Sequence, residues 1–279
     1  VSLRRASEPV GEARAVSDVI VGVEDSSVRE AQQDYRVRLL RRRGARGTEP
    51  NRTWDAEKWR SYFRKNKRRW RRFLPKDPAA RILEIGCGDG SFVRFLREMG
   101  YSRAEGLDVN EERLARAQGF GAEGVFQADV RTYFSDRGIA NDLDVVFALN
   151  VIEHLRKDEV LTLLTDVFSA LKPGGEFWIR TPNGAGLFAG YTRYVEFTHE
   201  NAFTTASLRE ILEFAGFGEM WFRPWGPIPH GAVSLARYLG WKTVELALST
   251  VSLLETASAK GGIFTADLLA CAKKPPHGI

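Results

Sequence analysis

The sequence predicts an α/β fold, a mostly parallel sheet with helices on both faces, and three observations carry that expectation. An apolar run at residues 82–85 breaks into glycines at alternate positions, Gly86, Gly88 and Gly90. Polar residues then recur at the ends of apolar stretches: Asp108 lies 24 positions after Glu84, Asp129 follows 21 later and Asn150 another 21 later. That is the spacing of a strand, a helix and the next parallel strand. Finally, residues 155–171 and 207–216 carry apolar positions at helical period.

Taken in order, residues 82–85 suit a buried parallel strand, in which Glu84 needs a specific partner. The alternating glycines allow a sharp turn and let a ligand approach to van der Waals contact. The nicotinamide fingerprint fails, because its third glycine position is Ser91. Residues 103–108 read as a second strand ending in Asp108, an acid able to accept two ribose hydroxyls. Residues 125–127 form a third strand ahead of Asp129 and Val130, and residues 144–150 a fourth ending at Asn150. The helix over 155–171 stops at Lys172-Pro173-Gly174-Gly175, followed by a fifth strand at 176–181. Ser207 with Glu210 opens a helix ending at Gly216, and last strands are expected at 219–223 and 263–272. Either acid alone reads equally well as a helix cap. The series places all the polar ends on one sheet edge, where open α/β folds bind ligands.

The string E-x-G-x-G-x-G at 84–90, the L-K-P-G-G turn and the T-P-N ending at 181–183 resemble the class I S-adenosylmethionine (AdoMet) methyltransferases, within the group acting on small molecules, lipids and glycans. The resemblance covers residues 75–275. It implies a Rossmann-like, seven-stranded, mostly parallel sheet whose last strand is antiparallel. It also implies AdoMet as cofactor, held by Glu84, Gly86, Cys87, Gly88, Gly90, Asp108, Val109, Asp129, Val130 and Asn150, with the ribose on Asp108 and the adenine beside Asp129 and Val130.

Charge is unevenly spread over the 279 residues. Residues 1–74 hold 20 Lys and Arg against 10 Asp and Glu, although the whole chain has a net charge of only +5. Residues 1–50 lack hydrophobic period and are expected to form a basic, largely mobile leader with a short helix near 28–40. Residues 51–279 are read as the catalytic domain. Within it, the basic, aromatic stretch 54–74 is an amphipathic helix, which the resemblance places over the cofactor pocket. The segment 225–262 is an insertion, and its apolar stretch 233–254 is too broad for an ordinary surface helix. It is expected to bury against the core, with a second subunit or a lipid-like acceptor as alternatives. Peripheral membrane contact through 54–74 or 233–254 is compatible with these patterns. Two cysteines and the absence of a signal-like segment point to a reducing cytoplasm.

Methyl transfer from a sulfonium requires the acceptor to be positioned in line and, for a hydroxyl, a proton to be taken. The loop after the fourth strand supplies Glu153 and His154, and the long loop 181–204 supplies His199, the preferred general base. His154 is a second candidate, more in keeping with a structural role beside the cofactor. Tyr191, Arg193, Tyr194 and Glu196 are candidate acceptor contacts by location. The reading is O-methylation of a sugar, glycan or other hydroxylated metabolite. N- or C-methylation of a small or lipid-like acceptor, and a non-catalytic AdoMet-binding regulator, are the alternatives. No proline pair follows Asn150, which disfavours nucleic-acid bases as acceptors, and no carboxylate cluster marks a metal site.

Overall fold

A computed structural model describes residues 54–257 and 262–276, together with Leu39. The expected leader and its short helix lie outside the described residues apart from that one. In chain order the elements are α1 (Ala56–Trp70), β1 (Ile82–Ile85), α2 (Ser91–Glu98), β2 (Ala104–Asp108), α3 (Glu111–Gly119), β3 (Val125–Gln127), α4 (Val130–Arg137) and β4 (Leu143–Leu149). A 3-10 turn (Ile152–His154) leads to α5 (Lys157–Ala170), β5 (Leu171–Pro182), α6 (Ala189–Tyr194), α7 (Thr205–Phe214), β6 (Met220–Pro224), α8 (Ala232–Thr256) and β7 (Asp267–Lys273). The seven strands are ordered β3-β2-β1-β4-β5-β7-β6. β1 to β5 pair in parallel, and β7 runs antiparallel to both neighbours, β5 and β6. This is the mostly parallel sheet with an antiparallel last strand that the resemblance implies.

All four residues of β1 are buried, as befits a strand covered on both faces. Side chains alternate between two cores. Leu83, Ile85, Val146, Ala148, Phe177 and Ile179 pack with Val160, Leu164 and Val167 of α5 and Leu208 and Leu212 of α7. Ile82, Val145, Phe147, Trp178 and Cys271 face the other way, against Trp70 of α1 and Phe92 and Phe95 of α2.

α1 starts at Asp55, whose carboxylate accepts the Lys58 N–H at 2.7 Å, so the first turn's open donors are partly satisfied. It buries Trp59 and Trp70 and exposes its lysines and all its arginines but Arg69. Trp70 lies within 5.5 Å, ring centre to ring centre, of Phe92, Phe147, Trp178 and Trp225. Ahead of the helix, the Trp54 indole donates to Asp89 at 3.2 Å, and within it the Tyr62 hydroxyl accepts from Ser91 at 3.2 Å, so this segment lies against the glycine turn.

Three expectations are corrected. The Lys172-Pro173-Gly174-Gly175 turn does not precede the fifth strand but lies inside β5. Leu171 already pairs with Leu143, and pairing resumes at Glu176 with Val145, so the four residues bulge out opposite Asp144. The Lys172 ammonium on the Asp144 carboxylate at 2.8 Å ties the bulge down. The long loop 181–204 is not wholly irregular, because it contains α6. Finally, α8 does not bury against the core: over 25 residues only Ser234 is buried, while Val233, Leu246 and Leu254 are 78%, 70% and 82% exposed. The reason is geometric. Both sheet faces are already filled by other helices, and a helix about 37 Å long inserted between β6 and β7 extends past what remains. No described helix is long and apolar enough to cross a membrane.

Trp70 is the aromatic hub joining α1 to the sheet. Trp70→Ala should lower unfolding stability by ~3–5 kcal/mol, as for other buried aromatic truncations, measured by urea titration. A loss under about 1 kcal/mol would show that α1 is not part of the cooperative core.

Candidate active site

The three loop glycines all adopt left-handed φ, 68° at Gly86, 57° at Gly88 and 66° at Gly90. Space forbids a side chain at two of them: a Cβ on Gly86 would lie 2.6 Å from Val151 Cγ2, and one on Gly90 2.7 Å from Ala122 Cβ. The turn is thus packed against the end of β4 on one side and the α3–β3 connection on the other. The Cys87 N–H donates to the Leu107 carbonyl at 2.9 Å, and burial pushes the Cys87 thiol far above its usual range, leaving it an inert loop residue.

Asp108, nearly buried, accepts the Gly88 N–H on Oδ2 and the Asn110 N–H on Oδ1, each at 2.8 Å. An ionised carboxylate can accept hydroxyl donors as well as main-chain N–H groups. Glu84 supplies the clearest sign of a missing partner, since its Oε2 is buried with no hydrogen-bond partner among the described residues. Burial, reinforced by Asp89 and Asp108 and opposed by Arg180, raises its pKa well above the carboxylate range. A buried orphan acceptor costs roughly 1–3 kcal/mol. A ligand bringing an ammonium or N–H group removes that cost, and AdoMet carries an ammonium. With the glycine turn and Asp108, the residues present fit the cofactor.

The remaining cofactor candidates are placed differently. Asp129 caps α4, accepting the Arg131 N–H at 3.0 Å, and is also ion-paired to the Arg131 guanidinium. Val130 packs against the core, and the Val109 carbonyl accepts from the Gln127 amide at 3.5 Å. Asn150, with a left-handed φ of 63°, commits its side chain to the scaffold: its amide donates to Glu153 Oε1 at 3.0 Å and its oxygen accepts from Arg180 Nε at 2.6 Å.

Beyond Asn150 the fold gathers a cluster whose members stand far apart in sequence. Glu153 is fully buried, with Oε2 accepting from the Thr181 hydroxyl at 3.2 Å, and burial raises its pKa to about 7. Its carbonyl accepts the N–H groups of Glu200 and Asn201 at 2.7 and 3.2 Å, which pins the 196–201 segment onto the end of β4. The His154 and His199 rings lie 4.9 Å apart. His199 Nδ1 faces the Thr192 carbonyl at 2.9 Å, and its Nε2 is 3.3 Å from Glu196 Oε2. Glu153, His154 and His199 present donor atoms within 4.8 Å of one another, a set able to hold a metal ion.

The acceptor candidates divide. Glu196 joins the cluster. Arg193 instead donates to the carbonyls of His199 and Glu200, bracing the loop that carries His199. Tyr191 and Tyr194 point to solvent, 69% and 79% exposed. Arg180 was missed by sequence reasoning. It joins Asn150 to Asp267, 3.9 Å away, and lies with Arg69 around the Trp225 ring. Burial and the nearby Arg180 draw Arg69 down to about 10, and burial raises Asp267. A charge inside the apolar string of β5 was the available signal.

With this geometry in place, comparison with known proteins gives a consistent answer. Residues 58–218 match the model of the methyltransferase-domain family, more than half the chain, so the chain belongs to that family. Its cofactor is AdoMet and its class that of AdoMet-dependent methyltransferases. It is 28% identical over 158 residues to a probable S-adenosylmethionine-dependent methyltransferase of Mycolicibacterium smegmatis, covering 56% of this chain and 59% of that one. It is 31% identical over 135 residues to a trans-aconitate 2-methyltransferase of an Azoarcus species, covering 47% and 51%. The chain thus spans little more than half the length of these curated relatives. A solved AdoMet-dependent methyltransferase from Archaeoglobus fulgidus shares the fold, with a TM-score of 0.56 at 24% identity over 78% of this chain and 97% of that one.

Asp108→Ala removes the carboxylate that ties the glycine turn to β2 and that the resemblance assigns to the ribose. It should weaken AdoMet binding by roughly 1.5–3 kcal/mol, the range for hydrogen bonds with a charged partner. Calorimetry checks this, and unchanged affinity would remove Asp108 from the cofactor site.

Proposed function

We propose that the protein transfers the AdoMet methyl group to a hydroxyl of a sugar, glycan or other hydroxylated metabolite by in-line displacement. The observation that supports this reading is the cluster of two imidazoles and two carboxylates at the end of β4. It lies beside Val151, whose side chain packs on Gly86 of the cofactor turn.

When bound, AdoMet supplies a methyl carbon made electrophilic by its sulfonium. The chain's own task is to hold the acceptor behind that carbon, keep water out and receive the hydroxyl proton. Among the described side chains, His199 Nε2 is the imidazole atom in place for the proton, with Nδ1 fixed by the Thr192 carbonyl and the Glu196 carboxylate adjacent. His154 stands against the same ring and extends the polar surface the acceptor meets.

A lipid-like acceptor is favoured by a separate observation. Leu187, Phe188, Val195 and Phe197, in the same 181–204 connection that carries His199, are 47–79% exposed. A hydroxylated head group on an apolar tail satisfies both features.

His199→Ala should leave AdoMet affinity within error, because none of the residues placed at the cofactor turn contacts it. Turnover on a hydroxylated acceptor should fall by about 10² to 10⁴, the usual contribution of acid–base catalysis. Radiolabelled methyl transfer to a fractionated glycan or lipid extract gives the assay. Turnover within a few-fold of wild type, or a loss that tracks weakened AdoMet binding, would overturn the role assigned to the cluster.

A further inference from the structure

We propose that Glu153, His154 and His199 bind a divalent first-row transition-metal ion that coordinates the acceptor hydroxyl. This rests on the O-methylation reading above and deepens it. The three residues present donor atoms within 4.8 Å of one another. Two imidazoles and one carboxylate suit manganese, iron, cobalt or zinc and leave coordination positions open for a substrate oxygen.

The orientation of the rings supports the assignment. Each imidazole turns Nδ1 toward a main-chain carbonyl, His154 to Thr198 at 3.2 Å and His199 to Thr192 at 2.9 Å. A carbonyl only accepts, so each Nδ1 carries a hydrogen, and Nε2 is the ring atom with which each histidine would meet a metal. Metal-ligating histidines are held in this manner, with the distal nitrogen anchored by a backbone carbonyl. His199 Nε2 stands 3.3 Å from Glu196 Oε2. The Glu196 carboxylate adds negative charge beside the site, which favours a bound cation. The Glu153 carboxylate accepts from two neutral donors, the Asn150 amide and the Thr181 hydroxyl, which orient it toward the cluster.

The framework is pre-built. The Glu200 and Asn201 N–H groups on the Glu153 carbonyl fix the two segments to each other, and Arg193 holds the His199 and Glu200 carbonyls from the other side. Residues 45 positions apart in sequence are therefore locked into one site, as His154 and His199. Glu153 and His154 follow Val151, whose side chain packs on Gly86, which puts the cluster on the same sheet edge as the glycine turn.

The chemistry follows. A hydroxyl oxygen on the ion loses its proton more readily, because the positive charge stabilises the alkoxide. The proton passes to the Glu196 carboxylate, the alkoxide forms the new C–O bond, and the C–S bond breaks with its electron pair remaining on sulfur. His199 is thereby reassigned from general base to ligand, and its loss lowers turnover in either role.

The test is direct binding of Co²⁺ to protein first stripped with a chelator, followed by calorimetry and by the visible d–d spectrum. One equivalent is expected per chain, with affinity reduced at least tenfold in Glu153→Gln, His154→Ala and His199→Ala. AdoMet affinity, measured on the same samples, checks that each variant is folded. Turnover of stripped protein should rise on adding Co²⁺ or Mn²⁺. Absence of Co²⁺ binding, or binding undiminished in the histidine variants, overturns the site. Binding with turnover indifferent to chelation overturns its catalytic role. If Co²⁺ does not bind while His199→Ala still abolishes transfer, the metal proposal fails and the O-methylation reading stands with His199 as base.

Discussion

Asn150 carries the interaction on which the rest of the site depends. At the end of β4 its left-handed turn sends the chain back across the sheet edge, and its side chain reaches two ways, donating to Glu153 and accepting from Arg180. Its N–H also donates to the Arg180 carbonyl at 2.8 Å, so the two central strands are joined at their ends by main chain and side chain together. Asparagine is among the few residues that tolerate this backbone and can also offer a donor and an acceptor. Valine, the next residue, then falls on the glycine turn, and Glu153 falls under the segment bearing His199. The glycine turn and the Glu153–His199 cluster are thus referenced to one amide.

The same edge concentrates buried charge. Glu84, Asp108, Glu153 and Asp267 line the strand ends, opposed by Arg69 and Arg180. Burial drives Glu84, Glu153 and Asp267 upward. Such a row is expensive to fold unless ligands or internal partners compensate it, and strongly shifted groups in a cleft are a common mark of a functional edge. Asp108 is met by the Gly88 and Asn110 N–H groups, Glu153 by Asn150 and Thr181, and Asp267 by Arg180, while Glu84 Oε2 has no hydrogen-bond partner among the described residues.

The sheet was legible in the sequence because its signals are local and periodic. Glycine at 86, 88 and 90, the acid 24 residues beyond Glu84 and the T-P-N ending each report a turn or strand end from a few neighbouring residues. What could not be read depends on contacts across the fold. Asn150 was read as a cofactor residue, but its side chain is spent on Glu153 and Arg180. Arg193 looked like an acceptor contact from its loop, whereas the carbonyls of His199 and Glu200 claim its guanidinium. Glu153 and His154 gave no ligand pattern with His199, since nothing in spacing reveals which loop folds over which strand. The breadth of apolar positions in 233–254 was visible, but not that both sheet faces would already be occupied.

The bulge at Lys172–Gly175 has a consequence for how this fold can change. Register beyond it is set independently, by Glu176 pairing with Val145 on one side and Lys273 on the other. Residues could be added to or removed from the excursion without displacing Trp178 or any side chain at the far end of the strand. It also opens at the edge of the sheet opposite the glycine turn. Here the chain has a point at which length is decoupled from chemistry, where evolution or a designer can splice in a new module without retuning the catalytic edge.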